Sequence, residues 1–466
     1  MSQAPEARKA GRSADFRGKV AAGILYATLA GPPFLFGSRD MATIAIWCAL
    51  LGIGLILTPA KRLQTGHLIV LASILFIALC FGFVLHEQLS DHPWIGPFNP
   101  IWAKASEALG RQLAPSGSIV RGEPALALGH PLANLLALVL GLFVGVDARR
   151  ARQGLHVIAW AGVVYAVYGI LSLLLDPTAI LWREKTAYVG YLTATFINRN
   201  TAAAYFGSCS AVWLILLMST VRRSLPGGQI EWTNVVPHLL QRGRKDILIR
   251  FVMLFVCLSA MLMTGSRGGV LFSLGALIVA FAIYFARDLP RGPQLAGAVV
   301  AAVGAGVFLL QVFGSDVTIR IDFQGLSDAG RLSAYRSTLR MIAENPWTGT
   351  GLGTFAQAFP AFRGTDISMM GLWGIAHSTP LELASEMGIP LTLLVAAAWI
   401  VALIVLLLAC RGRRSMAVPL SAFAVALIAL THSCIDFSLQ IAGYSIVVFA
   451  LLGVGLSQAL ASSRAM

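Results

Sequence analysis

Residues 263–269 read MTGSRGG, preceded by the apolar run FVMLFVCLSAML (251–262) and followed by VLFSLGALIVAFAIYF (270–285). An arginine at the centre of a spanning helix costs roughly 2.5–3.5 kcal/mol even on lenient insertion scales. The stretch therefore reads as two helices meeting at a turn, with Arg267 at the junction. Between Asp246 and Thr264 the first helix is short of the ~20 residues that cross a ~30 Å hydrocarbon layer at about 1.5 Å each. The turn is thus expected to sit slightly below one membrane surface. Irregular backbone survives there only against protein or a watery cavity, so Arg267 is expected to point into a pocket.

The same pattern runs through the whole chain. Of its 466 residues, 57% are hydrophobic and only 12% are charged, and the mean hydropathy is +0.76. The apolar stretches are continuous, which excludes the alternation of a membrane β-barrel. The expected fold is an all-α polytopic membrane protein. Spans are predicted at 20–37, 41–58, 67–85, 124–146, 154–175, 200–220, 248–264, 268–286, 294–313, 385–410, 416–435 and 440–460.

The net charge of +14 would point to nucleic acid in a soluble protein, but here it follows the positive-inside bias, and no nucleic acid is expected. The basic residues gather on the tail MSQAPEARKAGRSADFRGKV (1–20) and on alternate connections. These carry Lys61 and Arg62; Arg149, Arg150 and Arg152; Arg222, Arg223, Arg242, Arg244, Lys245 and Arg250; Arg287 and Arg291; and Arg411, Arg413 and Arg414. That places both termini in the cytoplasm. The first apolar stretch reads as a retained anchor rather than a cleaved signal, because many spans follow it. The six cysteines lie in apolar runs without metal-type spacing and read as small buried hydrophobes.

The division expected is a basic tail (1–19), nine spans (20–313) with outer segments 86–123 and 176–199, a large outer loop (314–384), three spans (385–460) and a short tail (461–466). In NPIWAKASEALGRQLA (99–114), Ile101, Trp102, Ala105, Leu109 and Leu113 would share one face of a helix lying on the membrane. A loop as long as 314–384 is ordered by its own structure or is functional, and RLSAYRSTLRMIAENP (331–346) has helical periodicity. GTGLGTF (349–355) reads as glycine-enabled turns; no strand precedes it to make a phosphate loop.

Polar groups collect on the outer side. FINRN (196–200) places Arg199 between Asn198 and Asn200, TGSRGG places Arg267, and GIAHSTPLELASEMG (374–388) places His377 ahead of Glu382 and Glu386. HSCIDF (432–437) sets His432 and Asp436 one helical turn apart, where they are expected to hydrogen-bond to each other. No HExxH or clustered-histidine motif supports a metal site. Two outward-facing guanidiniums suit a diphosphate, which arginine grips bidentately, and a neutral histidine can take a proton from an incoming hydroxyl. That combination fits glycosyl transfer from a lipid-diphosphate sugar.

The ordered set TATFINRNTAAAYF (193–206), TGSRGGVL (264–271), ENPWTGTGLGTFAQAFPAFR (344–363), AHSTPLELASEMGIP (376–390) and HSCIDFSL (432–439) resembles the O-antigen ligase and polymerase superfamily of bacterial envelope proteins. The resemblance implies a fold related to C-type glycosyltransferases, a large periplasmic loop and residence in the inner membrane. It implies an undecaprenyl-diphosphate-linked glycan as donor, lipid A-core or a growing glycan as acceptor, and no cofactor. It matches the family's diphosphate-binding arginines to Arg199 and Arg267 and its catalytic histidine to His377. Arg331, Asn198, Glu386, His432 and Asp436 are expected in supporting roles. The chain departs from the family at GIPL (388–391), where many members have glycine after the proline. A ligase is the first reading and a polymerase of O-antigen or exopolysaccharide the second. A lipid-linked glycan flippase or a non-catalytic scaffold are readings of another class; the flippase is disfavoured because no related halves and no charged helix interiors are seen.

Overall fold

A computed structural model describes residues 4–59, 63–224, 244–286, 329–367, 373–411 and 416–461, with Gly297 and Gly304 as isolated positions. The predicted span at 294–313 and the loop residues 314–328 and 368–372 lie outside the described residues, as does most of the inner segment 221–249. The helices are α1 (Ala4–Ala30), α2 (Met41–Leu57), α3 (Thr65–Leu89), α4 (Ile101–Leu109), α5 (Glu123–Ala127), α6 (Gly129–Val144), α7 (Ala148–Leu175) and α8 (Arg199–Ser224). They continue as α9 (Arg244–Met263), α10 (Arg267–Phe285), α11 (Ala329–Glu344), α12 (Phe355–Phe362), α13 (Thr379–Met387), α14 (Ile389–Cys410), α15 (Ala417–Ser433) and α16 (Ala442–Ala461).

Among the described residues, eight helices are long and apolar enough to cross a membrane, and α2 and α15 are shorter apolar helices. The protein is an all-α, multi-pass membrane protein. Its only described strands, β1 (Ala179–Ile180) and β2 (Arg183–Glu184), form a small antiparallel hairpin that the sequence reading missed.

Helix α8 is the most enclosed span and α3 the least. Small residues explain the enclosure of α8: Ala202, Ala203, Ala204, Gly207 and Ser208 let α9, α10 and α15 approach it. Within lipid, helix association depends on such close packing rather than on water exclusion. The segment holding α11 and α12 has a separate small core of Ala334, Met341, Phe355, Ala358, Phe359, Ile367 and Ala376. Leu352 and Met387 join Val84 and Leu85 of α3 and Leu391 of α14, fastening that segment to the spans.

Several expected boundaries shift for local reasons. Helix α1 starts at Ala4, inside the basic tail, and stops at Ala30, just before Pro32 and Pro33, which cannot continue it. Helix α7 starts earlier than expected because Asp147 caps it, accepting N–H bonds from Arg149 and Arg150. The predicted 385–410 helix is broken at Gly388 (φ 85°) into α13 and α14. Helix α9 has 20 residues, beginning at Arg244, so it is long enough to cross and the expected shortfall before Arg267 does not exist. In the 99–114 stretch only Ile101–Leu109 is helical, and Leu113 lies beyond the left-handed Gly110 that ends it. The cysteines also differ from expectation. Cys209, Cys257 and Cys410 are buried, but Cys434 is exposed.

Candidate functional site

Four helix ends meet at one end of the bundle: the starts of α8 and α10 and the ends of α9 and α15. Asn198 caps α8, its side-chain oxygen accepting from the N–H of Asn200 at 2.6 Å and of Thr201 at 3.3 Å. Arg199 is thereby the first residue of α8. Ser266 caps α10 by accepting from Gly269 N–H, and Arg267 is the first residue of that helix. Both guanidiniums therefore spring from helix N-termini, where unpaired N–H groups and the helix dipole already favour an anion.

Arg199 is held between two rings, its guanidinium 4.3 Å from the centre of Tyr191 and 5.1 Å from that of Tyr188. Its Nε is buried with no hydrogen-bond partner among the described residues. Gly265 makes the arrangement feasible. It lies at φ 62°, and a Cβ there would meet the Tyr191 ring at 2.7 Å. The glycine of TGSRGG thus lets one aromatic lie across the arginine of FINRN.

A cavity of about 450 Å³ opens at this junction. Its described lining brings together Arg199, Arg267, Arg331, His432 and Asp436, with Asn200 between them. Asp436 is buried and acts as a hub. Its Oδ2 accepts from Asn200 at 2.7 Å and faces Arg331 at 3.4 Å, while its Oδ1 accepts from Phe437 N–H at 2.9 Å. Arg331 also donates to the Ile435 carbonyl at 2.8 Å. Three guanidiniums against one carboxylate leave the cavity lining positive. Tyr188, Leu271, Phe272 and Tyr335 supply its less polar walls.

His432 and Asp436 do not bond to each other as expected. Helix α15 ends at Ser433, so the one-turn spacing is lost, and His432 Nδ1 pairs with Ser438 Oγ at 2.9 Å instead.

His377 lies beside the cavity and is not among its described lining residues. Two contacts link it to the wall: Tyr335 Oη donates to its carbonyl at 2.9 Å, and its ring packs 5.2 Å from Phe437, next to Asp436. Glu386 does not reach the cavity either. It accepts from Phe355 N–H at 2.9 Å, below the GTGLGTF stretch, whose three glycines all have positive φ. A Cβ on Gly349 would lie 2.2 Å from the Glu386 carbonyl carbon, so this turn closes tightly on α13. Burial raises the Glu386 carboxyl pKa above the usual range, against the bonds it accepts. Burial and then the neighbouring Glu386 raise that of Glu382.

Sequence reasoning missed Tyr188, Tyr191 and Tyr335. Only Tyr335 left a trace: it sits four residues after Arg331 and so on the same helical face.

This is a multi-pass membrane protein with a cationic cavity at one end of its bundle. A family model described as O-antigen ligase matches residues 252–396, and the match supports assignment to the O-antigen ligase and polymerase family of membrane enzymes. The matched region contains Arg267, Arg331 and His377; Arg199, His432 and Asp436 lie outside it, and the fold brings them in. No curated protein matches the chain.

Proposed function

We propose that the protein is a membrane glycosyltransferase of the O-antigen ligase type, moving a glycan from a polyprenyl-diphosphate donor to an acceptor hydroxyl. The observation that carries this reading is the meeting of Arg199 and Arg267, each at a helix N-terminus, with Arg331 in one cavity. Guanidiniums in a partly desolvated hollow stabilise the charge that develops on a departing diphosphate. The acceptor oxygen forms a bond to the anomeric carbon as the bond from that carbon to the diphosphate oxygen breaks. The hydroxyl proton passes to a histidine, and the single displacement inverts the anomeric centre. His377 is the favoured base. His432 is a rival because it lines the cavity itself.

Incubating the purified protein in nanodiscs with a lipid-diphosphate oligosaccharide, with and without lipid A-core, tests the reading. Product on the core means a ligase, and a lengthened donor glycan means a polymerase. Neither product, with donor appearing in the opposite leaflet, would point to transport and end the proposal.

The bacterial inner membrane, cytoplasmic termini and a periplasmic cavity complete the reading. Support comes from Arg149, Arg150 and Arg152 at the start of α7, Arg222 and Arg223 at the end of α8, and Lys245 near the start of α9. All lie at the bundle end opposite Arg199 and Arg267 and follow the positive-inside bias. In a variant lacking the exposed Cys434, Thr365→Cys should react with an impermeant thiol reagent from the periplasmic side. Reaction only after lysis would reverse the orientation.

A further inference from the structure

The turn carrying His377 is bent against its own preference. His377 has φ of 55°, and the left-handed region costs a residue with a Cβ roughly 1–2 kcal/mol. Such a conformation persists only where its surroundings over-determine it. The ring is fixed by Trp373 and Phe437, at 5.6 and 5.2 Å, but ring packing leaves the backbone unconstrained. Two hydrogen bonds constrain the backbone. Tyr335 donates to the His377 carbonyl at 2.9 Å, and the preceding N–H, of Ala376, donates to Glu382 Oε2 at 2.7 Å.

Glu382 reaches back from the first turn of α13, where its own N–H bonds to the Ser378 carbonyl at 3.0 Å. The short turn Ser438–Gln440 lies near its carboxyl group. Ser438 of that turn holds His432 Nδ1.

We propose that Glu382 is a positioning residue, whose acceptance of the Ala376 N–H fixes the left-handed turn that presents the His377 imidazole to the acceptor hydroxyl. The inference rests on the glycosyl-transfer reading with His377 as base. The neighbouring Glu386 does not share this role, since its carboxylate is engaged with Phe355.

The test measures kcat and donor KM for transfer from lipid-diphosphate oligosaccharide in nanodiscs. Glu382→Ala should lower kcat by about 30–100-fold, the scale of an ångström-level misplacement, and leave donor KM within about 2-fold, because the arginines are untouched. Glu382→Gln should recover kcat to within about 3-fold of wild type, since its amide oxygen accepts the same N–H. His377→Ala is measured alongside. If His377→Ala remains active, the underlying reading has failed. If His377→Ala is inactive while Glu382→Ala keeps its kcat, or changes KM alone, this inference is overturned and the reading stands. Glu382→Met, similar in volume and without a carboxylate acceptor, replaces the alanine variant if that does not fold. If neither is recovered folded while Glu382→Gln is, the residue serves stability alone and the proposal is overturned.

Discussion

The arginine side and the histidine side of the site are built by different means. Arg199 and Arg267 are the first residues of α8 and α10, and α8 is the most enclosed helix in the bundle. Their placement is set by capped helix starts inside a packed core. His377 sits on a strained turn outside the spans, held by side chains from α11, α13 and the segment after α15. One half of the site is positioned by backbone and the other by tertiary hydrogen bonds. Under the proposed function, the anion clamp would take its rigidity from the fold, whereas the acceptor-facing group would sit beside a segment with its own small core.

The largest expected effect tests the histidine side. His377→Ala should reduce transfer by at least about 10²–10⁴-fold, the usual range for a general base, with unchanged expression and unchanged donor KM. His432→Ala should cost less, because its ring is tied to Ser438. If the order is reversed, so that His432→Ala is the inactive variant, the base belongs to the cavity wall and the two-sided description collapses.

The arginine side should respond in binding. Arg267→Lys and Arg199→Lys each replace a planar fork by a point charge, which cannot grip a diphosphate bidentately. A loss of about 2–3 kcal/mol, typical of a charge-assisted hydrogen bond, corresponds to roughly 30–150-fold. It should appear in donor binding, measured with a non-transferable lipid diphosphate. Arg199→Lys should suffer more than Arg267→Lys, because it also loses stacking between Tyr188 and Tyr191. Wild-type affinity in both variants would remove the diphosphate assignment.

The two sides also differ in how far the sequence discloses them. TGSRGG and FINRN interrupt long apolar runs, and an interruption that contains Asn or Ser as a cap and Gly for a turn is encoded locally. Both helix starts could therefore be located within a residue. The break at Gly388 was equally local, in Gly followed by Pro390, yet continuous hydrophobicity masked it. The histidine side resisted reading because Tyr335 and Phe437, which hold His377, are distant in the chain, and the nearby Glu382 had no visible reason to turn back. Nothing near Glu382 announces that it folds back on Ala376, and nothing near Glu386 names Phe355 as its partner. Asp436 misled for the opposite reason: spacing from His432 assumed a helix that ends at Ser433, and its actual partners, Asn200 and Arg331, lie in distant segments.

The smallest effect concerns how firmly the loop-borne half is fastened. Glu386 is buried where α13 meets the GTGLGTF turn, and burial raises its carboxyl pKa above the range of an exposed glutamate. A carboxyl raised in the folded state favours folding while it is protonated. Its contribution is complete below the unfolded value near ~4.3 and is lost as pH rises through the higher folded value. Melting of the native protein in nanodiscs should therefore fall from mildly acidic to mildly alkaline pH, with Glu386 contributing on the order of 1 kcal/mol. Glu386→Gln keeps an acceptor for Phe355 N–H and removes the titration, so its melting curve should vary less with pH than that of the native protein. Equal slopes in the two proteins would mean that this junction holds its carboxylate without penalty.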